Sequence, residues 1–138
     1  MARFEDIRVG DELPAQTHAF DRLGLVKYAA GSGDFNPLHY DADFPQAREI
    51  GDNIVHGRLK YALLGKLVSD WLAGDGWVRE LACQYRGLDL RGAPVTATGR
   101  VSDKRTEDGV ALVELELAVV GEEGRVSTPG SATVVLTR

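Results

Sequence analysis

The feature that most restricts the fold of this chain is a strongly apolar helical segment near its middle. Between Gly57 and Leu72 the large apolar residues recur with the spacing of an α-helix. At 100° per residue they cover an arc of roughly 220°, which is wider than the apolar stripe of a surface helix. These residues are Leu59, Leu63, Leu64, Leu67, Val68, Trp71 and Leu72. The helix is therefore predicted to be largely enclosed by other elements.

After this helix the apolar period changes to that of a strand. Residues 95–101 and 113–119 alternate apolar with polar side chains, which is typical of antiparallel strands with one packed and one solvated face. Hairpin turns are predicted at Glu107-Asp-Gly109 and Gly121-Glu-Glu-Gly124. Thr128-Pro-Gly-Ser131 is predicted to interrupt the last strand as a bulge or edge kink. The pattern favours an α+β fold in which the antiparallel sheet wraps around the long helix.

Shorter elements are predicted before the helix. Residues 16–20 are consistent with a strand. Asp21 is a plausible N-cap for a helix over 22–30, which Gly31-Ser-Gly33 would end. Asp41 is predicted to cap a second short helix that runs through Ala47.

Length and composition narrow the class of protein. The 138 residues fit one domain, 1–138. The chain has 16 basic and 21 acidic residues, a net charge of −5, which argues against a nucleic-acid binder and an anionic-membrane binder. Cys83 is the only cysteine, so neither an internal disulfide nor a cysteine-based metal cage is expected. Without a visible signal peptide or a long apolar run, the expected location is the cytoplasm.

The residues that carry chemistry lie just before the long helix. Asp34 and His39 are five residues apart, and Ile54-Val-His-Gly57 opens the helix. A carboxylate and an imidazole held by a Gly/Pro turn, beside a glycine at a helix N-terminus, suit acid–base chemistry on a carbonyl compound. A zinc site made of His39, Asp41 and His56 is the alternative. Their spacing matches no compact ligand motif, so no metal site is predicted.

Three motifs, in order along the chain, resemble one known family. They are Ser32-Gly-Asp-Phe-Asn-Pro-Leu-His-Tyr-Asp41, Ile54-Val-His-Gly57 and Thr128-Pro-Gly-Ser-Ala-Thr-Val134. Together they resemble the MaoC-like, (R)-specific enoyl-thioester hydratase branch of the hotdog fold. The resemblance spans almost the whole chain. It implies a single hotdog domain whose sheet wraps the Gly57 helix.

The same resemblance implies an activity and its partners. The expected enzyme is a hydro-lyase that adds water reversibly to a trans-2-enoyl thioester of CoA or acyl carrier protein, giving the (R)-3-hydroxyacyl thioester. No metal or redox cofactor is implied. Two copies are expected to pair edge to edge as a homodimer, with the substrate entering at the interface.

The resemblance also assigns roles to individual residues. Asp34 is the main base, and His39 is its partner in holding the attacking water. The backbone N–H of Gly57 donates to the thioester oxyanion, which is physically reasonable because the first N–H groups of a helix have no intrahelical partner. Catalytic support is assigned to Asn36 and Ser32, and oxyanion or substrate contact to His56 and Val55.

Two other functions stay open at this point. One is a hotdog thioesterase, although the Asp34/His39 pair resembles the hydratase pattern. The other is a catalytic subunit that is active only with a second MaoC-like chain. Lys60 falls inside the apolar arc, so it must snorkel or face a polar pocket. Together with Arg58, where the family commonly has an apolar residue, it suggests a partner of complementary charge.

Overall fold

The computed structural model describes residues 3–137, and its centre is a five-stranded antiparallel sheet. Met1, Ala2 and Arg138, which the predicted domain includes, lie outside the described residues. The strands lie in the order β1-β3-β4-β5-β2, so β1 and β2 form the two edges. Their bounds are β1 Gln16–His18, β2 Gly76–Cys83, β3 Val95–Glu107, β4 Val110–Val120 and β5 Val126–Leu136.

Three helices lie between β1 and β2. They are α1 Arg22–Ser32, α2 Pro45–Ile50 and α3 Gly57–Leu72, with short 3₁₀ turns at Pro37–His39 and Glu122–Gly124. The bounds of α3 are those predicted from its apolar period. None of the described helices is both long and apolar enough to cross a membrane.

The long helix α3 is the centre of the core, as predicted. It packs against β2, β3, β4 and β5, and its apolar face is buried at Leu63, Leu64, Leu67, Val68 and Leu72. The sheet contributes the alternate residues of its inner face, and each fully buried Val or Leu among them stabilises the fold by about 1.5–3 kcal/mol. They include Val95, Ala97, Val101, Val113, Leu115, Leu117, Val119, Ala132 and Val134. A curved antiparallel sheet around one helix is the predicted α+β hotdog arrangement.

The prediction for the last strand is wrong in one respect. β5 pairs with β4 continuously from Val119↔Thr128 to Ala111↔Leu136, so residues 128–131 do not interrupt it, and β5 lies inside the sheet. The carbonyl of Pro129 accepts from the amide of Gln84, just past the end of β2. In an extended strand the N–H and C=O of one residue point to the same side. The position where proline lacks an N–H therefore faces the end of β2 and not β4. The pairing between β5 and β4 does not need that N–H and is kept.

Two predicted helix bounds need correction. Asp21 does cap α1, because its side chain accepts from the amide of Gly24 at 2.8 Å, but α1 continues to Ser32 rather than ending before Gly31. The helix predicted from Asp41 to Ala47 instead starts at Pro45. The carboxylate of Asp41 accepts from the amide of Asp43 at 2.9 Å, which forms a turn instead of a cap. Proline then occupies the first helical position, where its missing N–H costs nothing.

Candidate active site

The predicted acid–base pair is brought together by the fold. Oδ2 of Asp34 lies 3.7 Å from Nε2 of His39, which is too long for a direct hydrogen bond. The His39 side chain is 9% exposed and that of Asp34 39%, so the imidazole is held inside the fold while the carboxylate reaches solvent. This spacing suits two groups that contact the same small polar molecule.

The end of α1 and the turn after it hold Asp34 in place. Gly33 follows the helix with a φ of 76°, in the left-handed region that favours glycine. Ser32 Oγ donates to the carbonyl of Tyr28 at 2.7 Å and accepts from the amide of Asp34 at 3.2 Å. The amide of Asn36 donates to Oδ1 of Asp34 at 3.3 Å, which leaves Oδ2 facing His39. Both predicted supporting residues therefore contact Asp34.

The hydrogen-bond partner of His39 shows which ring nitrogen carries a hydrogen. Its Nδ1 lies 2.8 Å from the carbonyl oxygen of Ile54. A carbonyl only accepts, so Nδ1 carries a hydrogen, and Nε2 is the ring nitrogen that faces Asp34. Ile54 is itself paired with Leu90 in an isolated antiparallel bridge, and this pairing fixes the position of the acceptor.

His56 contacts both members of the pair. Its ring stacks on that of His39 with centroids 3.7 Å apart and planes inclined by 18°, and its Nε2 donates to the carbonyl of Asp34 at 3.2 Å. The edge of Tyr28 packs against it, with ring centroids 4.8 Å apart. Burial lowers the pKa of His56 and the neighbouring His39 lowers it further, so His56 stays neutral near pH 7. Its Nδ1 is buried and has no hydrogen-bond partner among residues 3–137.

Gly57 and Val55 differ in what their amides do. Gly57 is the first residue of α3, and its N–H has no acceptor in the described part of the chain. A Cβ at this position would lie 3.2 Å from the ring of Tyr85, so glycine lets that ring pack closely against the start of the helix. The amide of Val55 donates to the carbonyl of Asp89 at 2.9 Å, and its side chain is buried. Of these two residues, Gly57 has the amide available for a ligand.

Two tyrosines of the site were missed by sequence reasoning. Tyr28 lies four residues before Ser32, so both project from the same face of α1. This spacing could have placed Tyr28 near the site from the sequence. Tyr85 reaches Gly57 only through the folding of the chain after β2, which no local pattern reveals. Burial raises the pKa of both phenols, and the nearby guanidinium of Arg58 opposes that rise.

Lys60 was predicted either to snorkel to solvent or to face a polar pocket, and it faces a polar pocket. Its Nζ lies 3.0 Å from Oδ2 of Asp89 and donates to the carbonyl of Gly87 at 2.9 Å. The suggestion that Lys60 needs complementary charge from a partner chain is therefore wrong, because Asp89 supplies that charge within the chain. Asp89 was also missed, since it lies 29 residues from Lys60.

A metal ion fits this group of side chains poorly. One ligand atom from each of Asp34, His39 and His56 lies within 4.8 Å of the others. However, an imidazole binds a metal along a lone pair in the plane of its ring, and two nearly parallel stacked rings do not direct their lone pairs at one ion. One nitrogen of each ring is also engaged by a backbone carbonyl. The geometry thus favours acid–base chemistry over metal binding.

Comparison with known proteins agrees with this fold. The sequence profile of the MaoC like domain matches residues 8–122. The (R)-specific enoyl-CoA hydratase of Aeromonas caviae is 31% identical over 124 residues, which cover 85% of this chain and 87% of that protein. The mitochondrial 3-hydroxyacyl-[acyl-carrier-protein] dehydratase of Arabidopsis thaliana is 30% identical over 74 residues, covering 54% of this chain and 44% of that protein.

A solved structure gives the same result at the level of the fold. The (R)-hydratase of A. caviae involved in PHA biosynthesis superposes with a TM-score of 0.86 and 26% identity, covering 96% of this chain and 98% of its own. These relatives are named as hydratases and dehydratases, the enzyme class predicted from the sequence. The profile match and the similarity to the A. caviae hydratase show that this chain belongs to the MaoC like domain family.

Proposed function

We propose that this chain is a hydro-lyase that adds water reversibly to a trans-2-enoyl thioester and gives the (R)-3-hydroxyacyl thioester. The observation that carries the proposal is the 3.7 Å gap between Oδ2 of Asp34 and Nε2 of His39. Two proton acceptors that face each other at this distance are suited to holding one water molecule. The relatives named for enoyl-CoA hydration and for dehydration on acyl carrier protein support the reaction, and they leave both carriers open.

The pair supplies the proton transfers of the reaction. The water oxygen forms a bond to C3 of the substrate while one of its protons passes to Asp34, the main base, with the lone pair of His39 Nε2 holding the water in line. The C2 carbon then gains a proton from the same pair. The sum is addition of one water molecule across the double bond. A positioned acid–base pair of this kind contributes on the order of 10²–10⁴ in rate.

Gly57 stabilises the charge that forms between these two proton transfers. As water adds at C3, negative charge builds on the thioester oxygen. The N–H of Gly57 is unpaired among the described residues and lies at the N-terminus of α3, where the helix dipole favours negative charge. One oxyanion donor is worth about 3 kcal/mol of transition-state stabilisation. His56 places this helix terminus beside His39, because its ring stacks on His39 and the next residue is Gly57.

The proposal includes a homodimer formed through β2. This strand is an edge of the sheet, so one row of its backbone N–H and C=O groups is open for pairing with a second copy. Trp77 on this strand is 54% exposed, which provides apolar surface for a partner. A heterodimer with another MaoC-like chain is the alternative assembly. We further propose that the enzyme acts in the cytoplasm and needs no metal or redox cofactor.

The test is loss of the enoyl absorbance when the purified chain is mixed with crotonyl-CoA and longer 2-enoyl-CoAs. Asp34→Asn and His39→Gln are each expected to lower kcat at least about a hundredfold. The matched controls are Asp43→Asn, an exposed carboxylate of the same segment, and His18→Gln on β1. Both controls are expected to keep activity within about twofold of the parent enzyme.

The other outcomes discriminate among the alternatives. Release of free CoA without hydration contradicts the hydro-lyase and identifies a thioesterase. Full activity of Asp34→Asn overturns the assignment of the site. If a folded dimer turns over neither CoA nor carrier-protein thioesters but gains activity with a second MaoC-like chain, the self-sufficient enzyme is ruled out.

A further inference from the structure

A second group of charges lies buried beside the site, and the proton transfers do not use it. Nζ of Lys60 and Oδ2 of Asp89 are 3.0 Å apart, and the two side chains are 3% and 2% exposed. Taking two charges out of water is costly. Replacing such a pair with apolar side chains of similar volume often leaves stability unchanged or raises it. A pair of this kind is therefore poorly explained by stability alone.

The pair holds both sides of Gly57. Lys60 lies one turn into α3, and its amide donates to the carbonyl of His56 at 3.2 Å. On the other side of Gly57, the amide of Val55 donates to the backbone carbonyl of Asp89 at 2.9 Å. Asp89 thus contacts the chain before the glycine through its backbone and the helix after it through its carboxylate.

The same connection reaches His39. Leu90 pairs with Ile54, and the carbonyl of Ile54 is the acceptor that orients the His39 ring. Asp89 also lies against Gly121 in the β4–β5 turn, where an added Cβ would be 2.2 Å from Oδ1. With no room to shift on that side, Asp89 has a fixed position relative to the sheet.

We propose that Lys60 and Asp89 are positioning residues of the hydration site. They set the direction of the Gly57 N–H relative to the water held by Asp34 and His39. The inference rests on the hydro-lyase function proposed above. Its physical basis is that an oxyanion donor acts only within a narrow range of distance and angle, so a shift of about 1 Å can cost as much as a hundredfold in rate.

The test is the double variant Lys60→Met/Asp89→Leu, which removes both charges and puts apolar side chains of similar shape in their place. The expected result is a kcat at least about tenfold lower, a KM for crotonyl-CoA within about threefold, and an unchanged melting temperature. The matched control is Lys66→Met/Asp70→Leu, which removes the exposed ion pair of the same helix and is expected to leave kcat unchanged. A folded double variant with kcat within twofold of the parent overturns the inference.

Two further measurements keep the test decisive. If the double variant does not fold, Lys60→Gln, which keeps a donor near Asp89, is measured in its place. The same loss of kcat at constant KM is expected, and parental kcat overturns the inference. If the parent chain hydrates no enoyl thioester, the proposed function fails, and the inference is then decided by the NMR shift and hydrogen exchange of the Gly57 amide. Values that match the parent in the double variant would overturn it.

Discussion

The sheet and the segment that carries the site are held together by different kinds of contact. In β3, β4 and β5 the inner face is a continuous set of buried apolar residues packed on α3, so stability is spread over many non-directional contacts. Between residues 28 and 57 the geometry depends on single hydrogen bonds, such as those from Ser32 to Asp34 and from His39 to Ile54. Substitutions in the sheet should therefore change stability, whereas substitutions in the segment should change activity.

The largest effect on stability is expected from Leu115→Ala. Leu115 lies in β4, is 1% exposed and belongs to the main apolar core, so truncation leaves a cavity that costs about 2–5 kcal/mol of unfolding free energy. Urea unfolding at fixed protein concentration measures this loss. Val110→Ala, at an exposed position of the same strand, is the control and should cost less than about 0.5 kcal/mol.

Activity decides whether Leu115→Ala supports the comparison between the two regions. The kcat of the folded Leu115→Ala variant should stay within about threefold of the parent. A fall as large as that caused by Asp34→Asn would show that core packing and site geometry are not separable.

The parts of the fold that sequence could predict are those whose signal is local. The bounds of α3 could be predicted because apolar residues recur with the 3.6-residue period of a helix from Gly57 to Leu72. The inner and outer faces of β3 and β4 could be predicted because successive side chains of a strand point to opposite faces of the sheet. The proximity of Asp34 and His39 could also be predicted, because a single turn of chain separates them.

The parts that sequence could not predict depend on contacts between distant residues. Asp89 meets Lys60, and Tyr85 meets Gly57, only because the chain after β2 returns across the start of α3. Pro129 was predicted to break its strand because the end of β2 beside it is not visible in the sequence. The position of a neighbouring strand decides whether a missing N–H matters.

A smaller effect, on activity more than on stability, is expected from Ser32→Ala. The change removes the acceptor for the amide of Asp34 and the bond to the carbonyl of Tyr28. We expect kcat to fall about tenfold, equal to ~1.4 kcal/mol of barrier, with a stability loss of about 1 kcal/mol. Steady-state hydration assays and urea unfolding measure the two quantities.

The matched variants for Ser32 test whether the hydroxyl is responsible. Ser32→Thr keeps the hydroxyl and should recover most of the activity. Ser102→Ala, at an exposed position of β3, should change neither kcat nor stability. If Ser32→Ala keeps the parental kcat, other contacts position Asp34. The claim that the site geometry depends on single hydrogen bonds would then be wrong for Asp34.

The smallest effect is expected from the titration of His56. Burial and the neighbouring His39 lower its pKa below the ordinary value of 6.5. Below pH 6.5 the unfolded chain therefore binds a proton at His56 that the folded chain does not bind, and stability falls as the pH decreases toward the folded pKa. The fall is at most about 1.4 kcal/mol per pH unit, and His56 contributes no slope well above pH 6.5. Imidazole NMR of the folded protein should give a His56 midpoint below 6.5. A midpoint at or above that value would mean that the stacked pair of rings holds a charge, and His56 would then be an additional proton donor rather than a neutral support for His39.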